Sequence, residues 1–283
     1  QAQMDMFEDY FYSYNNWINK ENARVSGTGY ADITKGLVEV IDGFSTQVFL
    51  AQNIANTYSL PNNYYLINKL FYYSTVLFTG TATAIGTNQL IDSAALGWTT
   101  IPASAPTPKI GAIVVNTNTL QQAYITGVVN TTTITLSNNI FLVPGDSYVI
   151  YSNTNTREVE RVSQNKIFLL TNSMLTAPTK TYPAYVLDGN TITVYPSTIL
   201  NIGDIQAQYI RYPLSPRWTF QNLALGEPQF DPTQADFQEF ELPDSDEPTL
   251  IAKICQYVGI EIREADVYNF GSTEENNDTQ ETS

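Results

Sequence analysis

The pattern of side chains changes at Phe78-Thr79-Gly80, and this change limits what the chain can fold into. Before it, apolar residues recur at spacings of three and four, which is typical of amphipathic helices. Residues 79–152 instead contain short runs rich in Val and Thr, separated by turn residues, which predict strands. Helical spacing returns at Arg157 and continues to Met174. We therefore expect a β-rich insertion that interrupts a helical parent domain.

Three helices are expected before the insertion. Residues 4–18 place Met4, Phe7 and other large side chains on one face of a helix, a stripe better explained as core or subunit contact than as a cofactor site. A second helix is predicted within residues 36–56, with Gly43 as a candidate boundary, and a third over residues 61–74.

The insertion and the segment after it contain the strand signals. Five short strands are expected in a small barrel-like module, at residues 82–85, 112–116, 122–129, 132–136 and 147–151. Beyond the insertion, a tight turn at Asp188-Gly189-Asn190 joins two alternating runs and predicts a hairpin. Residues 205–212 can add a third strand to it.

These patterns predict an α+β protein with a discontinuous helical domain that carries a small antiparallel sheet. Residues 1–78 and 154–218 would form that domain, and residues 79–153 the inserted all-β domain. Residues 219–283 would form an extended acidic arm with one helix, Pro248 to Val258.

The acidic residues concentrate at one end of the chain. From Glu227 to Ser283 there are 15 acidic residues against Lys253 and Arg263, a net charge of −13. The first 226 residues hold 13 acids and 11 bases and are close to neutral. Such a segment favours contact with another protein and repels nucleic acid.

Large apolar side chains interrupt this arm. Aromatic residues in a loop-like segment pack best into pockets of a partner, so we expect a protein interface there. The candidate interface residues are Trp218, Phe220, Phe230, Phe237, Phe240 and Leu242.

Composition argues against several kinds of chemistry. The chain has no histidine and a single cysteine, Cys255, so a disulfide within the chain and the usual zinc site are excluded. The commonest general base is missing as well, which disfavours hydrolases. Glu158 and Glu160 would point to different faces of a helix, and the acids of residues 244–247 suit a helix N-terminus better than a calcium loop. We expect no enzyme, no cofactor and no bound metal.

No nucleotide, DNA or membrane site is expected either. The glycines near residue 28 are not part of a phosphate-binding loop, and Arg157, Arg161 and Lys166 on one helix are better explained as partners of carboxylates than as a DNA site. No run approaches the ~18 apolar residues of a membrane-spanning helix. Acidic residues stand at the start, where a signal peptide would carry bases, so we expect a soluble protein that is not secreted by the Sec route.

Several segments of the sequence resemble those of a known group of proteins. Val159-Glu160-Arg161-Val162, Asn172 through Thr179, and Arg211-Tyr212-Pro213 with Pro216-Arg217-Trp218 resemble virion proteins of crAss-like bacteriophages. Two C-terminal segments are similar to sequences of the same group, namely Phe237 through Pro243 and Ile254 through Ile260. These are short-tailed phages whose ring or adaptor proteins link the portal to the tail.

The resemblance implies a structural role and brings no catalytic residues with it. It implies a homo-oligomeric ring of about twelve copies around a DNA channel, in contact with the portal and with neighbouring tail rings. DNA would pass through during ejection without specific binding. The protein would be assembled in the host cytoplasm and would reside in the neck or tail of the virion.

Two other functions stay open at this point. The Tyr- and Asn-rich composition and the β insertion also suit a peripheral tail component for fibre attachment or host-surface binding. A cell-wall hydrolase is the third class, which the lack of histidine disfavours.

Overall fold

The computed structural model describes residues 1–22, 31–95, 98, 110–223 and 226–281. The chain divides into two compact units. The acidic unit, as we call it below, consists of Gln1–Ser45 and Arg211–Ser283, and the neutral unit is Thr46–Ile210. The predicted domain boundaries near residues 78, 153 and 218 stay predictions.

The described residues contain five α-helices and seventeen strands. The helices are α1 (Ala2–Asn22), α2 (Ala31–Gly43), α3 (Gln164–Thr171), α4 (Glu247–Ile262) and α5 (Ala265–Glu281). The strands are β1 (Ser45–Phe49), β2 (Ala51–Ile54), β3 (Thr57–Ser59), β4 (Tyr64–Tyr73), β5 (Val76–Thr81), β6 (Ala84–Gly86), β7 (Gln89–Ile91), β8 (Ile113–Asn116), β9 (Gln122–Val128), β10 (Thr133–Leu136), β11 (Ser147–Tyr151), β12 (Thr156–Arg161), β13 (Ala184–Asp188), β14 (Thr191–Tyr195), β15 (Ile205–Arg211), β16 (Phe220–Asn222) and β17 (Pro228–Phe230).

The larger of the two main sheets has eight strands, in the order β1-β15-β4-β12-β13-β14-β3-β2. Its β13–β14 hairpin turns at Gly189, which has a φ of +58°, so this predicted hairpin is confirmed. Buried side chains from six strands and the adjoining turns form one core beneath the sheet, among them Tyr58, Leu70, Ile192 and Val194.

The predicted third helix is wrong, because residues 64–73 form strand β4 in the interior of this sheet. Leu70 and Tyr72 face the core of the large sheet, whereas Tyr73 belongs to a second apolar cluster on the other side. A strand covered on both faces carries a continuous apolar run, and such a run cannot be distinguished from a buried helix by its spacing.

Two other helix predictions also need correction. The second predicted helix ends at Gly43, and β1 and β2 follow it. The helical spacing read from Arg157 to Met174 belongs to strand β12 followed by the short helix α3. β12 has one buried side chain, Val159, between exposed charged residues, so its pattern carries little strand signal.

The second sheet contains seven strands in the order β5-β11-β8-β9-β10-β7-β6. All five strands predicted for the insertion are present, and β5 and β7 are added to them. β5 and β6 lie at opposite edges of the sheet although only Ala82 and Thr83 separate them along the chain. The sheet must therefore curl to bring its edges together, and it encloses a core that includes Leu90, Ile125 and Phe141.

An aromatic cluster joins the two sheets within the neutral unit. Phe49 and Tyr73 of the eight-stranded sheet pack against Tyr151 of the curled sheet, with ring centroids 6.2 and 5.4 Å from that of Tyr151. The Tyr151 hydroxyl donates a hydrogen bond of 3.0 Å to Asp204 Oδ1, and Asn201 Nδ2 donates one of 3.1 Å to Asp204 Oδ2. Asp204 is 2% exposed, and this burial raises the pKa of its carboxyl group.

Four helices and a two-stranded sheet make up the acidic unit. Phe7 of α1 is fully buried, with its ring edge-on to Phe44 at 5.1 Å, so the aromatic stripe of α1 contributes to the core. Ala2 and Met6 of α1 pack against Leu250 of α4. Lys253 Nζ lies 3.2 Å from Asp9 Oδ2, which adds an ion pair between the same two helices.

Helix α4 is longer than predicted, and a second helix follows it. Helix α4 continues past Gly259 to Ile262. A Cβ at Gly259 would lie 2.6 Å from the backbone nitrogen of Tyr268 in α5, so a larger residue would not fit there. Gly271 of α5 plays the same part, since its Cβ would lie 2.5 Å from the carbonyl oxygen of Ala252. The two glycines let the helices pack at close range. Helix α4 ends at Ile262, and the next residue, Arg263, adopts the left-handed conformation.

The expected fold class is thus wrong. Sheets of eight, seven and two strands dominate the structure, and the helices are a minority. The parent of the insertion is an eight-stranded sheet, not a helical domain with a small antiparallel sheet. The strand-to-strand pairing of distant segments decided this outcome, which local spacing does not report.

The buried carboxyl group of Asp204 leads to a prediction about pH. Because its pKa is raised in the folded protein, Asp204 favours folding at low pH, and this contribution is lost as the pH rises from about 4 through the raised value. Asp204→Asn removes the titration and should lose less stability relative to the wild type at pH 8 than at pH 4.5. Urea denaturation at the two pH values measures the difference. The exposed Asp188→Asn is the control, and an equal effect of Asp204→Asn at both pH values would contradict the prediction.

Candidate protein-interaction surface

Strands β16 and β17 form a small hairpin on the acidic unit. They pair antiparallel, with Phe220 opposite Phe230 and Asn222 opposite Pro228. The Leu223 backbone N–H donates to the Glu227 carbonyl at 2.8 Å, and Gly226 adopts a φ of +84° in the turn. The segment that the sequence suggested to be loop-like is therefore held in regular pairing.

The hairpin displays a row of aromatic rings. Trp218 is stacked on Phe220 with centroids 5.3 Å apart and on Phe230 at 6.2 Å, and Phe237 meets Phe230 edge-on at 5.6 Å. These four residues are the aromatic platform. Trp218 is 60% exposed, and Phe220 and Phe230 are 49% and 47% exposed. Single exposed apolar residues are ordinary, whereas stacked groups of this size are typical of protein interaction surfaces.

Hydrogen bonds around Asp231 give the platform a defined shape. The Asp231 N–H donates to the Thr219 carbonyl at 3.1 Å, and its carboxylate accepts from the Thr233 N–H, the Thr233 hydroxyl and Gln234 Nε2. These hydrogen bonds, above all the one from the Thr233 hydroxyl, lower the pKa of Asp231. The turn between β17 and Phe237 is therefore closed by an ionised side chain.

Arg217 holds the other side of the platform. Its backbone exchanges hydrogen bonds with Gln238, at 2.8 and 3.2 Å, and its guanidinium lies 2.9 Å from Asp236. Both charged side chains are at least half exposed, so the ion pair adds little energy. The backbone bridge is what brings Phe237 beside the hairpin.

A stronger ion pair fixes the base of this segment. The guanidinium of Arg211, at the end of β15, donates two hydrogen bonds to the Glu241 carboxylate, at 2.7 and 2.9 Å. The Leu214 N–H donates to the same carboxylate at 2.7 Å. The Arg211 hydrogen bonds are the main cause of a lowered Glu241 pKa. The side chain of Gln3 in α1 donates a hydrogen bond to the Leu214 carbonyl and accepts one from the Glu241 N–H.

The structure treats the six predicted interface residues differently. It brings Trp218, Phe220, Phe230 and Phe237 together in the platform, and Phe240 is 37% exposed nearby along the chain. Leu242 packs instead against the α1–α4 cluster of Ala2, Met6 and Leu250. An interface role for these residues stays a prediction. The alternation of apolar and polar residues across the β16–β17 pair is the sequence signal that could have distinguished the platform residues from Leu242.

The net charge of the protein lies entirely in the acidic unit. That unit has 22 acidic and 7 basic residues, a net charge of −15, whereas the neutral unit has 6 of each. The aromatic platform therefore lies on the unit that attracts cationic partners and repels nucleic acid.

The other predicted groups fall in the neutral unit or at the start of α4. Glu158 and Glu160 are two residues apart on a strand, so they share a face, contrary to the helical prediction. Glu158 forms an exposed ion pair of 3.3 Å with Lys69. Arg157 and Arg161 lie on β12 and Lys166 on α3, so the predicted basic strip on one helix is wrong.

The acids at residues 244–247 do lie at a helix start, as expected. Asp244–Asp246 form a single 3₁₀ turn before α4, and Tyr10 of α1 donates a hydrogen bond to Asp246. Cys255 is a half-buried free thiol of α4. Across the described ranges, no three Cys, Asp or Glu residues are grouped in a way that could hold a metal ion. None of the helices in that part of the chain combines the length and apolar character needed to cross a bilayer.

No protein-family model matches the chain, and no curated protein matches its sequence significantly.

The Arg211–Glu241 pair leads to a prediction about the platform. Glu241→Gln removes the charge-assisted hydrogen bonds of a largely buried carboxylate and should lower the free energy of unfolding by about 1–2 kcal/mol. Residues 212–243 should also exchange amide hydrogens faster. In the wild type the stabilisation is present above about pH 4.3 and is lost as the pH falls through the lowered pKa.

Hydrogen exchange and limited proteolysis, each at pH 7 and pH 3, measure this effect. Glu239→Gln changes a neighbouring exposed carboxylate and is the matched control. Equal protection of residues 212–243 in Glu241→Gln and Glu239→Gln at pH 7 would show that the pair does not hold the segment.

Proposed function

We propose that this protein is a structural component of a virion, a ring-forming connector between the portal and the tail of a short-tailed phage. It acts without catalysis and without a cofactor. The observation that supports this most directly is the aromatic platform, an exposed and rigidly held apolar surface on the unit that carries all of the net charge. The resemblance of the sequence to crAss-like phage virion proteins gives the platform its context.

The platform has the features of an assembly anchor. Tryptophan and other large aromatic residues dominate binding energy at protein interfaces, because they bury much area at a small cost in side-chain entropy. The platform is also preorganised by Asp231, by the Arg217 bridge and by the Arg211–Glu241 pair. A preorganised surface loses little conformational entropy on docking. Repeated around a ring, one such contact per copy gives a closed assembly.

The charge of the acidic unit suits a protein that surrounds DNA. Phosphate groups are repelled by a net charge of −15, so DNA would slide through a channel lined by this unit without binding. The partners in this proposal are further copies of the chain, the portal and the neighbouring rings of the tail.

A second candidate is a peripheral tail component that attaches a fibre or binds the host surface. The extent of β structure favours it, because the neutral unit presents two large sheets without net charge. Assembly symmetry separates the two candidates, since a connector forms a closed ring with a central hole and a spike forms a compact trimer.

The ring can be tested directly. Negative-stain electron microscopy and mass photometry of the purified protein should show closed rings of about twelve copies. Trp218→Ala with Phe230→Ala should weaken assembly about tenfold or more, as loss of anchoring aromatic residues does at other interfaces. Tyr12→Ala removes an aromatic ring that is 69% exposed on α1 and is the matched control.

Three results would contradict the proposal. Trimeric particles would support the peripheral tail component instead. Unchanged rings in the Trp218 and Phe230 variant, and in a truncation after Gly226, would show that the platform and the C-terminal segment are not needed for assembly. Clearing of purified peptidoglycan by the protein would reveal a hydrolase.

A further inference from the structure

The neutral unit carries an exposed apolar surface of its own. It lies on helix α3 and the turns that follow, residues 164–182, which we call the α3 loop. Five large side chains of this loop are between 68% and 102% exposed, namely Phe168, Leu169, Met174, Leu175 and Tyr182. Monomeric proteins rarely expose so many large apolar side chains in one short segment.

The α3 loop is fixed to the sheet beneath it. Ile167 is buried against Ala184 and Val186 of β13, which turns Phe168 and Leu169 outward. Backbone hydrogen bonds from Ala177 to Ser173, and in both directions between Thr179 and Tyr182, shape the turns. The apolar side chains are thus presented by an ordered backbone, which reduces the entropy lost on docking.

The charge of the loop is opposite to that of the acidic unit. Residues 162–187 contain Lys166 and Lys180 and no acidic residue. Both lysines are exposed, and along the chain they flank all of these apolar side chains except Tyr182. In a unit that is neutral overall, this segment is a local cationic and apolar surface.

We propose that the α3 loop of one copy docks on the aromatic platform of a second copy. This inference rests on the ring proposed above and names the two surfaces that meet in it. Met174 and Leu175 would cover the exposed ring faces of Trp218 and Phe230, since thioether and aliphatic groups pack well on aromatic faces. Lys166 and Lys180 would lie near carboxylates beside the platform, such as Glu227 and Glu239, and over its rings.

The geometry of such a contact leads to a ring. The two surfaces are different parts of the chain, so each copy has one donor surface and one acceptor surface. Heterologous contacts of this kind add one copy after another. The chain of copies closes into a ring when a whole number of the rotations between neighbouring copies makes a full turn. A contact between two identical surfaces would stop at a dimer.

The first experiment removes each surface separately. Met174→Asp with Leu175→Asp places charges at fully exposed positions, so the fold should persist, as circular dichroism would verify. This variant should be monomeric under the conditions in which the wild type forms rings. Leu142→Asp with Val143→Asp is the matched control, because these neighbouring side chains are also exposed, at 63% and 59%, on the same unit. The control should still form rings.

The second experiment mixes two defective copies. The Met174 and Leu175 variant keeps an intact platform, and a Trp218→Ala, Phe230→Ala variant keeps an intact α3 loop. Each is expected to be monomeric alone, and a mixture should form one-to-one dimers and nothing larger, since only one productive contact is possible. Mass photometry at low and high salt measures the dimers, and salt should weaken them.

Several outcomes would overturn the inference. A mixture that stays monomeric would show that the two surfaces do not meet. Dimers of the platform-deficient variant alone would show a contact between identical loops. Wild-type rings that survive the Met174 and Leu175 substitutions would overturn this inference while leaving the proposed ring intact, whereas a wild-type protein that never self-associates would overturn both.

Discussion

The pairing of Arg211 with Glu241 is the interaction on which the proposed function depends. Arg211 ends the last strand of the eight-stranded sheet, and Glu241 follows the aromatic platform in the chain. The pair closes a segment of about thirty residues, and without it the aromatic rings would lie on a tether that loses entropy on docking. The Leu214 N–H on the same carboxylate makes the closure specific, because the carboxylate accepts hydrogen bonds from two directions.

The division of charge gives the two units different tasks. All of the net charge lies on the unit with the platform, and the other unit balances six acids with six bases. A neutral unit can pack sheets and carry an apolar loop without long-range repulsion between copies. An acidic unit can attract the two lysines of that loop while it repels DNA. In the proposed ring, one chain therefore supplies both surfaces of the contact between copies.

Particular elements show how far local pattern reaches in this protein. The insertion strands and the hairpin at Gly189 were predictable, because alternation and turn residues are local signals. Strand β4 was not, because both of its faces are covered over its last four residues, Leu70 to Tyr73, and its apolar run resembles a buried helix. The helix predicted from Pro248 to Val258 continues through Gly259, whose role is to let α5 approach, a contact that no spacing within α4 can reveal.

The sequence by itself determined the composition-driven properties: the acidic end, the lack of histidine, the aromatic residues of the arm and the existence of a strand-rich insertion. Each follows from residue counts or from spacing within a few positions. Only the tertiary structure decided that the parent domain is a sheet, that four aromatic residues stack into a platform while Leu242 enters a core, and that the α3 loop is left uncovered. These outcomes depend on which distant segments pair. The free energy of that long-range packing cannot be inferred from the local spacing of apolar residues.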